Sequence, residues 1–206
     1  MSLTLAAPQQ DNDRYLAPAD NHPARCVELI DMGTQEEEYE GEKSERPKVR
    51  ISFELVNEEI TEGMAPSISE KYTAGLGDRH KLRHHLENWR GKPFTNEELQ
   101  NFDLEKLLGK SCMVQVQHQI SKSTGNPYAK INGIGKVPKG LKVGKASKPL
   151  VSYSVEEGES ETFLKFPQWL QEEIALSPEF QKAKKNPSGS TEAQGVTTTE
   201  SEEHPF

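Results

Sequence analysis

The chain has 206 residues and a formal net charge of -8, with 33% hydrophobic residues and a mean hydropathy of -0.80. This length allows one sizeable domain with tails or two small domains, and the low hydropathy predicts that part of the chain is not packed into a core. No apolar run reaches the length of a membrane span, and no secretory signal pattern opens the chain, so we expect a soluble cytoplasmic protein without membrane contact. The two cysteines, Cys26 and Cys112, lack metal-binding spacing and are expected to be reduced core residues.

The first part of the chain predicts two strands joined by an acidic loop. Residues 1–23 are polar and predict a flexible N-terminal arm. An apolar run over residues 25–32 and a strict alternation over residues 48–56 are typical of half-buried strands. The intervening residues 35–46 are too acidic to bury, so they predict a long exposed connection.

A helical stretch separates these strands from the next pair. A third strand is predicted within residues 64–76, and Leu82, Leu86 and Trp89 then recur at helical spacing. Thr95 and Glu98 form a Thr-x-x-Glu capping box, which predicts the start of a second helix. This order predicts a mainly β domain at residues 24–150, a five-stranded OB-fold barrel with a helical insert between strands 3 and 4. A small sandwich or another α+β domain is the alternative.

Residues 110–148 carry the strongest functional signal in the chain. They contain eight lysines and no Asp or Glu, although the whole protein is acidic. Cys112, Val114 and Val116 alternate with other residues on one predicted strand, and the turn formers at 123–127 (STGNP) separate it from a second strand that carries Tyr128 and Lys130. The pattern predicts a hairpin with one apolar face and one face of lysines and a tyrosine.

Such a face suits a polyanion with stackable bases, which is single-stranded nucleic acid. Phe53 and Trp89 lie on apolar stripes and are expected in the core, whereas Tyr72 and Tyr128 alternate away from apolar neighbours and are expected to stack on bases. An ordinary lysine-rich surface that protects an edge strand is the simpler alternative. The predicted nucleic-acid-binding residues are Lys48, Arg50, Tyr72, Lys122, Tyr128, Lys130 and Lys136.

The C-terminal part predicts two segments of different character. Residues 151–181 predict an acidic linker with a short amphipathic helix that begins after Pro167 and ends before Pro178. Residues 182–206 are almost free of large apolar side chains and predict a disordered acidic tail that ends in Pro205-Phe206. An acidic run with a terminal aromatic ring predicts a hook for a partner protein, and a merely solubilising tail is the alternative.

No catalytic constellation assembles in the sequence, so we expect a protein that is not an enzyme and holds no cofactor. Gly133-x-Gly135 lacks the third glycine of a dinucleotide-binding loop and precedes no helix. His80 and His84 share a helix face, which allows a metal pair, but no HExxH motif accompanies them. We therefore expect no catalytic residue and no metal site, and a nuclease is the enzymatic alternative.

The tip EEHPF resembles the acidic Pro-Phe tip of bacterial single-stranded-DNA-binding proteins. The central part, KVRISFELVNE through LENWRGKPFTNEELQNFDLEKLLGKSCMVQVQHQISKSTGNPYAKINGIGKVPKG, is similar to a group of phage-encoded OB-fold proteins found among replication genes and taken to bind single-stranded DNA. The resemblance covers about residues 25–140 and the tip. The bacterial proteins lack the long helical insert, so their tetrameric assembly and individual DNA contacts do not carry over.

The resemblance implies an OB barrel and sequence-tolerant binding of single-stranded DNA during phage DNA replication or recombination in the host cytoplasm. It also implies recruitment of replication or recombination proteins by the tip, with a homo-oligomer left open. The partner-contacting residues would be Glu202, Glu203, Pro205 and Phe206. The alternative is a protein–protein adaptor of a replication complex without significant DNA binding.

Overall fold

The computed structural model describes residues 16–39, 41–58 and 65–185. Its strands are β1 (Asn21–Tyr39), β2 (Glu42–Leu55), β3 (Ser67–Thr73), β4 (Ser111–Ile120), β5 (Pro127–Gly135) and β6 (Val151–Tyr153). Its α-helices are α1 (Lys81–Arg90), α2 (Asn96–Gln100), α3 (Glu161–Leu164), α4 (Gln168–Ala175) and α5 (Pro178–Lys185). Two short 3₁₀ helices complete the described elements, Leu104–Leu107 and Val155–Glu157. None of the helices in these ranges has the length and apolar character needed to span a bilayer.

All six strands belong to one sheet. Five of them run antiparallel in the order β3-β2-β1-β4-β5, and β6 pairs in parallel with β1. The sheet is open, with β3 and β5 as its two end strands. Among the described residues these two strands do not pair with each other, so the sheet does not close into a barrel. The fold is mainly β, as the sequence predicts.

Strand β1 is the centre of the sheet because it changes partner along its length. Its first residues pair with β4, its middle pairs with β6, and β2 follows it throughout. Register shifts between Cys26 and Glu28 and between Asp31 and Gly33 interrupt the pairing with β2. A β-bulge bends and twists a strand, and these bulges accompany the change of partner along this long strand. Gly33 has φ of +65°, and an added Cβ would lie 2.7 Å from the Ser177 side chain, so glycine suits both the bend and the close packing there.

The predicted acidic loop at residues 35–46 is wrong. Strands β1 and β2 continue through it as a two-stranded ribbon, with Glu36 opposite Glu45 and Glu38 opposite Lys43. A ribbon beyond the body of the sheet exposes both of its faces, so strand pairing here requires no burial of the acidic side chains. Acidic composition therefore excludes a core position but does not exclude a strand.

Two apolar cores lie against the sheet. The larger core joins β1–β5 to α1 and includes Phe53, Leu86 and Trp89. A second core joins Ile30 and Met32 of β1 to aromatic and aliphatic residues after position 150. The helix predicted after Pro167 is confirmed as α4, but the rest of the predicted linker also packs on β1, through Tyr153, Val155, Phe163, Phe166 and Phe180. Helix α5 runs to Lys185, into the segment predicted to be disordered, and residues 186–206 lie outside the described ranges.

The helices between β3 and β4 follow the local sequence signals. In α2 the Thr95 hydroxyl accepts from the Glu98 backbone N–H at 3.2 Å, and the Glu98 carboxylate accepts from the Thr95 N–H at 2.9 Å. The predicted capping box is therefore confirmed. Helix α1 buries Leu82, Leu86 and Trp89 against the larger core, as their spacing predicts.

Candidate nucleic-acid interface

The outer face of the β4–β5 hairpin is polar from Gln115 to the turn. Cys112, Val114 and Val116 of β4 are buried in the core, so the intervening residues face the other way. Gln117 lies opposite Lys130, and Gln119 lies opposite Tyr128. A register shift after Gln115 leaves Asn132 as the extra residue of a bulge. We call this surface the amide face, and it comprises Gln115, Gln117, Gln119, Tyr128, Lys130 and Asn132.

Hydrogen bonds between neighbours order the amide face. The Asn132 amide donates to Gln115 Oε1 at 2.8 Å, and the Tyr128 hydroxyl donates to Gln119 Oε1 at 2.9 Å. These bonds leave donor and acceptor positions of the amides open to a ligand. The Tyr128 side chain is 41% exposed. Neutral amides beside an exposed ring suit the edges and faces of bases without selecting one base.

A lysine-rich stretch without regular secondary structure continues from β5 towards β6, and we call residues 136–148 the lysine segment. Arg25 of β1 holds its middle, since the guanidinium donates to the Val143 and Gly144 carbonyls at 3.1 and 2.5 Å. Glu54 of β2 holds its end. The Glu54 carboxylate is 1% exposed and accepts from the backbone N–H groups of Ser147 and Lys148 at 2.7 and 2.9 Å. Both anchors are side chains of the sheet, so they fix the segment against it.

The lysines of this region have no ion-pair partner within the described ranges. This holds for Lys122, Lys130, Lys136, Lys139, Lys142 and Lys145, none of which has a described carboxylate within 4.0 Å. Residues 110–148 themselves contain no Asp or Glu. The amines are therefore available to an external anion, such as the phosphates of a nucleic acid.

The structure disperses the seven predicted nucleic-acid-binding residues over several environments. Tyr128 and Lys130 share the amide face, and Lys122 lies in the turn at its end. Lys136 begins the lysine segment beside helix α1, where an added Cβ at Gly91 would lie 3.3 Å from Lys136 Cδ. The C-terminal end of a helix favours a cation, which accounts for this position.

Lys48 and Arg50, predicted to bind nucleic acid, are both paired with carboxylates of the sheet. Lys48 is only 5% exposed, and its amine lies 2.6 Å from the Glu37 carboxylate and donates to the Thr73 hydroxyl at 2.9 Å. The Arg50 guanidinium is half-buried and pairs with Glu28 at 2.5 Å. Strand alternation places both cations on the polar side of β2, but the acidic ribbon and β1 neutralise them there.

Tyr72 is also not an exposed stacking ring. It is 2% exposed, and its hydroxyl lies 2.9 Å from His85 Nδ1 of helix α1. Burial raises the pKa of the Tyr72 hydroxyl above its usual range. Burial, followed by the nearby Lys81 ammonium, lowers the pKa of His85 to about 4. A neutral histidine thus serves as the hydrogen-bond partner of a core tyrosine.

The expected core roles of Phe53 and Trp89 are confirmed. Both are buried, with ring centroids 5.6 Å apart in an edge-to-face arrangement. The Trp89 indole N–H donates to the Ser111 carbonyl at 2.7 Å, which satisfies the only polar atom of the ring.

Sequence reasoning missed two features of the interface. The three glutamines of β4 carry no charge and no ring, so the criteria of positive charge and aromaticity do not select them. Their period of two is nevertheless visible in the sequence. The buried Glu54 anchor has no such signal, because its partners lie 93 and 94 residues further along the chain. The predicted partner-binding residues Glu202, Glu203, Pro205 and Phe206 lie outside the described residues.

Comparison with known proteins adds no identification. No protein-family model matches the chain, and no curated protein matches it.

Proposed function

We propose that this chain binds single-stranded DNA without sequence preference, as a non-enzymatic protein of phage DNA replication or recombination in the bacterial cytoplasm. The amide face contacts bases, with Tyr128 as the stacking ring. Lys122, Lys130 and the lysine segment contact phosphates. This surface does not include Lys48, Arg50 or Tyr72. Carboxylates pair with Lys48 and Arg50, and Tyr72 is buried in the core.

One observation carries the proposal: a set of lysines without carboxylate partners lies on and beside a face of amides and an exposed tyrosine. A protein surface normally mixes charges of both signs, and the other half of this sheet does so. Binding of a polyanion by counterion release needs such a local positive strip and does not need a positive total charge.

The sheet topology supports a partly open OB barrel as the scaffold. The terminal strands β3 and β5 are bridged by Lys81 at the start of α1. Its amine pairs with Glu70 of β3 at 2.7 Å and donates to the Ile131 carbonyl of β5 at 3.2 Å. An OB fold is a five-stranded, partly open barrel, and a side chain across the gap between its end strands is compatible with that description.

Fluorescence anisotropy of labelled oligo-dT, measured at several salt concentrations, tests the proposal. For a single strand, the logarithm of the association constant should fall with the logarithm of salt concentration, with a slope of about -0.7 for each phosphate neutralised. Absence of binding in dilute salt would leave the adaptor alternative. Hydrolysis of the oligonucleotide on addition of a divalent metal would instead favour the nuclease.

The proposed role of the tip is tested separately. Deletion of Pro205 and Phe206 should leave oligo-dT affinity nearly unchanged while abolishing capture of replication or recombination proteins by the acidic tip. Loss of DNA binding in the truncated chain would show that the tip does not act as an independent partner hook.

A further inference from the structure

A cleft outside the amide face is lined by residues of β1, β2, β3 and α4 and by Lys148 at the end of the lysine segment. Its volume is about 330 Å³. Arg50, Ser52 and Ser69 form its floor, Trp169 lies at its α4 side, and Lys148 with Ser67 lies at its edge. The cleft therefore combines a polar floor, an aromatic ring and a cation.

The floor of the cleft is a fixed hydrogen-bond network. Arg50 donates to Ser69 Oγ at 2.7 Å and to Ser52 Oγ at 3.1 Å, and it pairs with Glu28. Ser52 also donates to Glu28 at 2.5 Å. Since the Glu28 carboxylate neutralises Arg50, the floor offers donors and acceptors but little net charge. It suits the polar edge of a base better than it suits a phosphate.

Trp169 has the properties of a stacking platform. It is 51% exposed, whereas the adjacent Leu170 is buried in the second core and anchors the helix. The Arg50 guanidinium carbon lies 5.6 Å from the Trp169 ring centroid, close enough for a cation–π contact that orients the ring. A large ring that is held on one side and exposed elsewhere leaves π surface for a second planar group.

Lys148 supplies the cation at the edge of the cleft. Its amine donates to Ser67 Oγ at 2.7 Å and has no carboxylate partner in the described part of the chain. Its backbone N–H is held by Glu54, so its position is set by the sheet. Lys148 is also the last residue of the lysine segment, which connects the amide face to this cleft.

We propose that the cleft binds one nucleotide unit of the bound strand, with its base on Trp169 and its phosphate on Lys148. The inference rests on the proposed function and extends it, because it makes the C-terminal helices part of the DNA-binding surface. The phosphate lies at Lys148 and not on the floor, where the Glu28 carboxylate would repel it.

The two tryptophans of the chain give a direct test. Trp89 is buried in the larger core, so an emission change on binding reports Trp169. Titration with dT20 should quench the emission, and an abasic strand with the same phosphates should not. The Trp169→Ala variant should bind dT20 about tenfold more weakly, which corresponds to one lost base stack. Its affinity for the abasic strand should equal that of the unaltered protein. Lys148→Gln should weaken both strands and reduce the salt slope by about 0.7.

Matched controls remove nearby groups of the same kind. Leu164→Ala removes an exposed apolar side chain of α3, and Lys165→Gln removes an exposed amine beside it, so both should bind dT20 as the unaltered protein does. One outcome would overturn the cleft assignment and leave the proposed function standing. The unaltered protein would bind dT20 with steep salt dependence but without a change in tryptophan emission, and the Trp169→Ala variant would bind dT20 with the same affinity. Saturable quenching by free dTMP without binding of dT20 would overturn the strand assignment and the proposed function together.

Discussion

The two halves of the sheet differ in whether their cations have carboxylate partners. On the β1–β3 side, several cations are paired with carboxylates: Lys48 with Glu37, Arg50 with Glu28, and Lys81 of α1 with Glu70 of β3. Arg25 of β1 instead donates to backbone carbonyls of the lysine segment. On the β4–β5 side and along the lysine segment, the lysines at 122, 130, 136, 139, 142, 145 and 148 have no ion-pair partner among the described residues. The presence of lysines therefore does not by itself predict an anion-binding surface. Such a surface is expected only where the lysines have no carboxylate within reach.

Cross-strand pairing explains the difference. In β1 and β2, acidic and basic side chains occur on facing strands, where opposite charges attract and neutralise one another. In β4 and β5 the residues that face Lys130 and Tyr128 are glutamines, which bond through neutral amides. The second half of the sheet thus keeps its positive potential while its face remains polar.

The largest expected effect concerns the stability of the junction between the two halves. His85 contacts Tyr72 of β3 and also donates a hydrogen bond to the backbone carbonyl of Asn132 in β5, and its pKa is lowered from 6.5 to about 4. The unfolded chain therefore binds more protons between these values. The contribution of His85 to the free energy of unfolding should be constant above about pH 6.5 and fall on acidification to pH 4, by about 2–3 kcal/mol once solvent screening of the ring is allowed for. Chemical denaturation at several pH values measures this, and a His85→Gln variant should lack this contribution to the pH dependence.

The next largest effect should follow removal of cations without partners. Changing Lys130, Lys142 and Lys145 to Gln should reduce the salt slope for oligo-dT by about 2 and weaken binding about 100-fold at 50 mM salt. The control changes Lys43, Lys165 and Lys184 to Gln, which gives the same net charge outside the proposed surface. Equal losses in the two triple variants, measured by anisotropy, would mean that total charge and not the local strip governs binding.

Exchange of the stacking ring should have a smaller effect. Tyr128→Ala should weaken oligo-dT binding about tenfold, because one base–ring stack is typically worth about 1–3 kcal/mol, and Tyr128→Phe should retain most of the affinity. Tyr72→Phe serves as the matched change at a buried ring and should cost about 1 kcal/mol of stability through its lost hydrogen bond to His85. If Tyr72→Phe weakens DNA binding as much as Tyr128→Ala does, the assignment of the exposed ring is wrong.

The smallest effect on DNA affinity should come from Lys48, a neutralised cation of β2 that lines neither the amide face nor the cleft at Trp169. Lys48→Gln is expected to change oligo-dT affinity less than twofold, since Glu37 already holds the buried amine. Its free energy of unfolding should fall instead, because Glu37 and Thr73 lose their partner. A tenfold loss of affinity in a folded Lys48→Gln protein would contradict the contrast between the two halves.

Much of the architecture was predictable because it depends on local patterns. The alternation after residue 48 predicted β2, the alternating residues around the STGNP turn predicted the β4–β5 hairpin, and the Thr95–Glu98 pair predicted the start of α2. The candidate interface was predicted in part, through Tyr128, Lys130 and the acid-free composition of residues 110–148.

Other features depend on contacts between distant residues. Tyr72 and Tyr128 occupy similar alternating patterns, yet α1 covers Tyr72 and nothing described covers Tyr128 to the same extent. The residues after position 150 are predicted as a linker because their first part is acidic and rich in turn formers, but their apolar side chains converge on Ile30 and Met32.

The sequence by itself determined the middle of β2, the β4–β5 hairpin, the start of α2 and where positive charge is segregated, because spacing, turn residues and composition act within a few residues. The tertiary structure alone decided which cations meet a carboxylate, which tyrosine is buried and that Trp169 is exposed. The physical reason is that a periodic pattern identifies the two sides of an element but not what covers each side. Neutralisation and burial depend on groups that approach from elsewhere in the chain, as Glu37 does for Lys48 and α4 does for Arg50.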